Sequence, residues 1–277
     1  MHSEIAPGAA TRDAQASHPA IVITGAASGI GREIARLAAM EGSALVLVDC
    51  ADRMLDGLVA ELAAFGVRAA AVGLDLTSCN AVSSIERALH ERELHCDVLV
   101  NCADLQVPRP VSSSDPEAVS QIELNVRLLT ELTLHFLPGM VARACGGVLN
   151  LGSVIGKAPL PAMAIYYASK AFVNSLSIAL ASELAGTGVT VTCLAAGIVM
   201  TRSFAQRAAA QGRLRSLIPQ SDAFDAAAAG WLGFKAGRRL VIPGIRNQVV
   251  VTLAKLVPRS MVVRLIGLLE RSPIPGV

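Results

Sequence analysis

Ala20-Ile21-Val22-Ile23-Thr24-Gly25-Ala26-Ala27-Ser28-Gly29-Ile30-Gly31 is the stretch that decides the fold. Its first part is short, apolar and β-branched, as a buried strand requires. Its second part is a glycine-rich turn that opens a helix. The first N–H groups of a helix have no partner within it, and they lie at the positive end of its dipole. A strand–turn–helix of this kind therefore makes an anion site that holds a pyrophosphate without a lysine. Gly25 permits the tight turn, Gly29 lets a phosphate approach the backbone, and Gly31 lets helix and strand pack closely. The spacing is Gly-x-x-x-Gly-x-Gly, and alone it also fits a simple strand–helix connection.

Apolar β-type runs alternate with helical patterns from here onward. Strands are predicted at Ala20–Thr24, Ala44–Asp49, Ala69–Leu74, Asp97–Asn101, Gly147–Leu151 and Thr190–Leu194. Helices are predicted at Ile30–Glu41, Met54–Phe65, Cys79–Glu91, within Pro116–Arg143 and at Ala164–Leu184. Pro138-Gly139 falls near the end of the fourth helix, and Ala226–Ala229 begins a further one. Near-continuous apolar strands joined by helices imply an α/β fold: a single doubly wound parallel sheet with helices on both faces. Ligands then bind at the carboxyl ends of the strands.

The chain has 277 residues, 53% hydrophobic and only 17% charged, enough to fill one large core. Aromatics are 3%, so that core is aliphatic. A net charge of +2 with no basic stripe argues against nucleic acid. Six cysteines without a Cys-x-x-Cys pair read as free thiols in a reducing, cytoplasmic setting, and no cluster has metal spacing. Residues 1–18 read as a flexible leader, 19–246 as the main α/β domain with a lid near 200–220, and 247–277 as an apolar extension. No stretch is long and apolar enough to predict a membrane span. The extension, with basic residues between its apolar clusters, packs on the domain or in an oligomer interface, covers the cleft, or rests on a membrane surface; packing is the preferred reading.

Asp49 ends the second strand at the distance that places a carboxylate on an adenosine ribose. There it would accept hydrogen bonds from the ribose hydroxyls and repel a 2′-phosphate. Each unit of like charge costs about 3 kcal/mol at roughly 5 Å and an effective dielectric near 20. NAD is favoured over NADP on this ground, although an acid at a strand end also serves simply to face water. Tyr166 and Lys170 are four apart in a helical stretch and share a face. A lysine cation beside a phenol lowers its pKa toward the range useful for proton transfer. Ser153, after the fifth strand, is placed to hydrogen-bond a reacting oxygen. Alone, Tyr-x-x-x-Lys is more often a helix-surface pair.

Taken together and in this order, the glycine loop, the strand-end acid, Ser153 and Tyr166-x-x-x-Lys170 resemble the short-chain dehydrogenase/reductase family, from about Ala20 to Thr201. The resemblance implies an NAD(P)-dependent oxidoreductase on one Rossmann-type domain, in a homodimer or homotetramer. It implies Tyr166 as acid/base, Lys170 as the lysine that binds ribose and lowers the pKa of Tyr166, and Ser153 as substrate-oxygen contact. It implies Asn125 as holder of a relay water; otherwise Asn125 is a polar residue in a long helix. It implies cofactor contacts at Gly25, Ser28, Gly29, Ile30, Gly31, Asp49, Asp75, Leu76, Asn101, Ala103, Tyr166, Lys170, Val199 and Thr201. Asp75 reads otherwise as a helix cap.

The sequence departs from the family pattern at Asp104, where Asn-Asn-Ala-Gly reads Asn101-Cys102-Ala103-Asp104, and at Ala196-Gly197 in place of Pro-Gly. The expected reaction interconverts a secondary alcohol and a ketone, or an alcohol and an aldehyde, with NAD and chiefly toward oxidation. Phe204, Leu214, Leu217, Ile218 and Trp231 suggest a lipophilic substrate such as a steroid, terpenoid or acyl compound; they read equally as lid packing. The alternatives are an NADP-linked carbonyl reductase and a non-catalytic dinucleotide sensor.

Overall fold

A computed structural model describes residues 17–107, 117–154, 163–199 and 220–256. The chain runs β1 (His18–Thr24), α1 (Gly29–Met40), β2 (Ala44–Asp49), α2 (Asp52–Leu62), β3 (Ala69–Gly73), α3 (Ala81–His90) and β4 (Leu94–Asn101). It continues through α4 (Glu117–Ile122), a π-helical segment (Glu123–Leu128), α5 (Leu129–Arg143), β5 (Gly147–Ser153), α6 (Ala164–Glu183) and β6 (Thr190–Ala196). β7 (Ile198–Val199), β8 (Gln220–Ser221), α7 (Ala223–Lys235), β9 (Leu240–Val241) and α8 (Ile245–Leu256) follow.

Seven strands form one sheet in the order β3-β2-β1-β4-β5-β6-β9, and every described pairing is parallel. Strand order reverses between β1 and β4, so their following loops diverge and leave a crevice at the carboxyl edge. β7 and β8 pair separately, Ile198 with Gln220 and Val199 with Ser221.

Side-chain alternation explains the two helical layers. Ile21, Ile23, Leu45 and Leu47 point to one face and pack with Ile34, Leu55 and Trp231 of α1, α2 and α7. Ala20, Val22, Val46 and Val48 point to the other and pack with Ile85, Leu132 and Met140 of α3 and α5. Fully burying each large aliphatic side chain contributes about 1.5–3 kcal/mol. The doubly wound architecture expected from the apolar strands is thus observed.

Several boundaries differ from the sequence reading. β4 starts at Leu94, three residues before the predicted Asp97, because the buried Leu94 and Cys96 extend the apolar run across His95. The long fourth helix contains a π segment at Glu123–Leu128 and continues past Pro138 to Arg143, where Ala144 ends it in the left-handed region at φ 51°. Pro138 cannot donate to the Leu134 carbonyl, but Leu134 lies on the exposed side of the helix. β9 has no counterpart in the sequence reading, since two residues carry no periodicity. The predicted leader apart from its last residues, the lid residues 200–219 and the chain from 257 onward lie outside the described residues. α8 begins at Ile245, two residues before the expected extension, and runs to Leu256. Among the described residues, no helix is long and apolar enough to cross a membrane.

Candidate active site

The turn after β1 adopts the conformation that its glycines allow. Gly25 has φ +67°, and a Cβ there would lie 2.7 Å from the Ala103 amide nitrogen. A Cβ on Gly31 would lie 2.3 Å from the Gly25 carbonyl oxygen. The turn after β1 is thereby pressed against the loop after β4, and α1 against the turn. α1 starts with Ser28 extended at its N-cap and making no side-chain cap bond. The first-turn amides therefore border a cleft of about 420 Å³ that Ser28, Gly29, Ile30 and Gly31 line.

Asp49 reaches this cleft from the end of β2. Its Oδ2 accepts from the Ala27 N–H at 3.0 Å and its Oδ1 from the Ala51 N–H at 3.3 Å. The carboxylate is fixed against the glycine turn with lone pairs remaining. Asp75 and Leu76 also line the cleft. Asp75 Oδ1 accepts from the Thr77 hydroxyl at 2.7 Å and the Thr77 N–H at 2.9 Å. These bonds, the hydroxyl's first, hold its carboxyl below the ordinary range. α3 begins only at Ala81, so Asp75 shapes a turn and does not cap that helix.

The loop after β4 is tied down along its length. Thr24 Oγ1 accepts from the Ala103 N–H at 3.2 Å. Asn125 accepts from the Leu105 N–H and donates to the Leu105 carbonyl, both at 2.9 Å, and donates also to Ser169 Oγ at 3.3 Å. Gln121 accepts from the Val107 N–H at 3.3 Å. The π segment widens the helix where Asn125 faces this loop. The Asn125 amide thus acts as a backbone clamp, with both N–H donors engaged; only acceptor capacity on Oδ1 is left for a water.

α6 brings a file of polar residues against β5. Lys170 Nζ donates to the Leu151 carbonyl at 2.9 Å. Asn174 donates to the Ser153 carbonyl at 2.8 Å and accepts from the Ser153 N–H at 3.3 Å. Ser177 Oγ accepts from Asn150 Nδ2 at 3.0 Å. Spacings of four and three residues keep these side chains on one helix face. Ser153 Oγ donates to the Ala196 carbonyl at 3.2 Å, and Ser153, Tyr166, Lys170 and Val199 all line the cleft.

Asp104 joins the two key groups of α6. Its Oδ1 lies 3.1 Å from Lys170 Nζ, and its Oδ2 accepts from the Tyr166 hydroxyl at 3.1 Å. The ammonium also stands 5.7 Å from the centroid of the Tyr166 ring. Lys170 is 3% exposed, so a charge there needs the carboxylate beside it. The Tyr166 phenol is pushed well above its ordinary value, first by burial and then by the Asp104 charge. This reverses the expected downward effect of Lys170: burial raises the phenol most, and Asp104, which offsets the ammonium and accepts the phenol proton, raises it further. Burial pushes the Cys102 thiol up to about 12, which leaves it un-ionised at neutral pH.

Besides the clamp Asn125, two expected residues do not line the cleft. Asn101 does not line the cleft: it is buried in the sheet and donates to Asn150 Oδ1 at 2.9 Å. Trp231 is buried, stacks on Phe234 and donates to Glu41 at 3.2 Å, joining α7 to α1 away from the cleft. Thr201, with Phe204, Leu214, Leu217 and Ile218, lies outside the described residues. Sequence reasoning missed Asn174 and the bridging contacts of Asp104. Asn174 was legible as the next position after Lys170 on the same helix face; Asp104 was visible only as an acid replacing glycine. No group of three or more potential metal ligands occurs among the described residues.

Comparison with known proteins agrees with this fold. The family model for short chain dehydrogenases matches residues 19–212. Sulfoacetaldehyde reductase 2 of Chromohalobacter salexigens is 37% identical over 184 residues, 65% of this chain and 73% of the relative. A short-chain dehydrogenase from Sphingobium yanoikuyae, solved in complex with NADPH, has TM-score 0.74 and 29% identity, covering 94% of this chain and 98% of its own. A short chain dehydrogenase/reductase from Burkholderia phymatum, solved in complex with NAD, has TM-score 0.75 and 25% identity, covering 87% and 93%. The chain belongs to the short-chain dehydrogenase/reductase family of oxidoreductases.

Proposed function

We propose that this oxidoreductase interconverts an alcohol and a carbonyl compound with a nicotinamide dinucleotide, NAD in preference to NADP. One observation carries the reading: the glycine turn, Asp49, Ser153, Tyr166 and Lys170 all line a single cleft. The residues fit the cofactor. The close approach at Gly25 and Gly31 leaves bare backbone beside the α1 N-terminus for a pyrophosphate. Asp49 has the position and the free lone pairs to receive ribose hydroxyls, and Cys50, next in sequence, offers a 2′-phosphate no positive charge. When bound, the nicotinamide ring supplies or takes the hydride.

The chain's own part is to bind, orient and move a proton. Lys170 has two N–H groups engaged, by Leu151 and Asp104, and its third is left for a ribose hydroxyl. Ser153 Oγ holds the substrate oxygen, and the Tyr166 oxygen gives or takes its proton. Leu105, Leu124 and Val199 line the cleft and favour a lipophilic substrate. Exposed apolar residues on α5 and α6, Leu134, Val141, Phe172 and Ile178, suit a homodimer or homotetramer. The reading is tested by titrating the protein with NADH and NADPH and following ligand fluorescence. Tighter binding of NADH supports it; binding of neither removes it, and preference for NADPH replaces it by an NADP-linked reductase.

A further inference from the structure

We propose that Asp104 is a positioning residue that bridges Lys170 and Tyr166, keeps the hydroxyl proton on the phenol oxygen, and so sets Tyr166 as a proton donor to a carbonyl across neutral pH. The proposal rests on the functional reading above and deepens it, since it names the group that decides where on the pH scale each direction runs. The overall equilibrium of the reaction is untouched.

Asp104 is held by structure on both sides in the chain. Ala103 is bonded to Thr24 and Leu105 to Asn125, so the carboxylate has little freedom to leave the phenol. One carboxylate oxygen serves the ammonium and the other the hydroxyl, each at 3.1 Å. Among the described residues, the charged and titratable groups that face the phenol are few. Lys170 lies on its own helix, and Asp104 and Cys102 lie on the loop after β4. Tyr167 follows in sequence, its ring edge-on at 5.9 Å. Cys102 is un-ionised at neutral pH, and Tyr167 acts on the phenol less than Asp104 does, so the balance is between Lys170 and Asp104. With Asp104 present, the positive charge is cancelled and ionising the phenol would place two anions side by side. Without it, the ammonium acts on the phenol alone.

The chain has only two tyrosines, Tyr166 and Tyr167, so tyrosinate can be followed by near-ultraviolet absorbance on the protein with neither cofactor nor substrate. Tyr166→Phe assigns the transition. In Asp104→Asn, tyrosinate at position 166 is expected to form about 1–3 pH units lower than in the parent. Adding Lys170→Met to Asp104→Asn is expected to move the transition back up. Circular dichroism at neutral pH selects folded variants, and Asp104→Gly provides a second uncharged replacement. On NADH-loaded enzyme, the alkaline limb of carbonyl reduction should fall by the same interval. An unchanged tyrosinate transition in both Asp104 variants would overturn the proposal. That outcome is distinct from failure of NADH to bind, which would overturn the functional reading alone.

Discussion

Asn174 grips Ser153 by both of its main-chain polar groups, donating to the carbonyl at 2.8 Å and accepting from the N–H at 3.3 Å. The same Oδ1 also accepts from the Cys193 thiol at 3.2 Å. A residue eight positions after Tyr166 therefore fixes the backbone that carries the reacting hydroxyl. Asn174→Ala removes both of these buried hydrogen bonds, which costs about 1–3 kcal/mol. Turnover should fall while NADH affinity stays at the parent value, because Asn174 does not line the cleft. Equal losses in binding and turnover would show a general collapse instead.

Gly31 and Gly57 predict opposite outcomes for the same substitution. Gly31→Ala drives a Cβ to 2.3 Å from the Gly25 carbonyl and must displace the turn. NADH binding should weaken at least about tenfold and stability should fall by about 1–3 kcal/mol. Gly57 sits in α2, and a Cβ added there would meet nothing within 4 Å. Gly57→Ala should stabilise by about 0.5–1 kcal/mol with binding unchanged. Urea unfolding and NADH titration of the two variants check both statements.

Asp49 carries the cofactor preference. Asp49→Asn removes one unit of negative charge, worth about 3 kcal/mol at roughly 5 Å and an effective dielectric near 20. The ratio of NADPH to NADH affinity should rise on the order of 10²-fold, and further when Cys50→Arg is added. Parallel titrations with the two reduced cofactors measure it. An unchanged ratio would place the 2′-position away from this carboxylate.

Glu61 links α2 to α1. Arg36 Nε lies 2.5 Å from one of its oxygens and Arg32 Nη2 2.8 Å from the other. These bonds, that to Arg36 first, lower its pKa from 4.5 to about 2. Because the folded value lies below the unfolded one, the stabilisation is complete above about 4.5 and is lost as pH falls through about 2. The three side chains are about one-third exposed, so screening limits the effect to about 1 kcal/mol. Glu61→Gln should unfold at lower urea than the parent at pH 7, and the difference should shrink as the solution is acidified below 4.5.

Much of this was legible in the sequence, for physical reasons. Ile21 to Thr24 are apolar and β-branched, so β1 declares itself, and Gly25, Gly29 and Gly31 mark the turn. Tyr166 and Lys170 are related by helical periodicity, which needs no tertiary knowledge. The Asp104 bridge was not legible, because it depends on how the loop after β4 meets α6, sixty-two residues away. Asn101 was misplaced for the same reason: its position at the strand end says nothing about whether its amide faces the crevice or Asn150. β9 escaped because its two residues are recruited by β6 through tertiary pairing.

The central claim is that the Tyr166 oxygen moves the substrate proton in a cleft that binds the dinucleotide independently of it. The most direct measurement compares Tyr166→Phe with the parent in NADH binding and in hydride transfer to NAD from a panel of lipophilic secondary alcohols. Unchanged NADH affinity and a rate lower by about 10²–10⁴-fold are expected. Parental turnover by the Phe variant would contradict the claim.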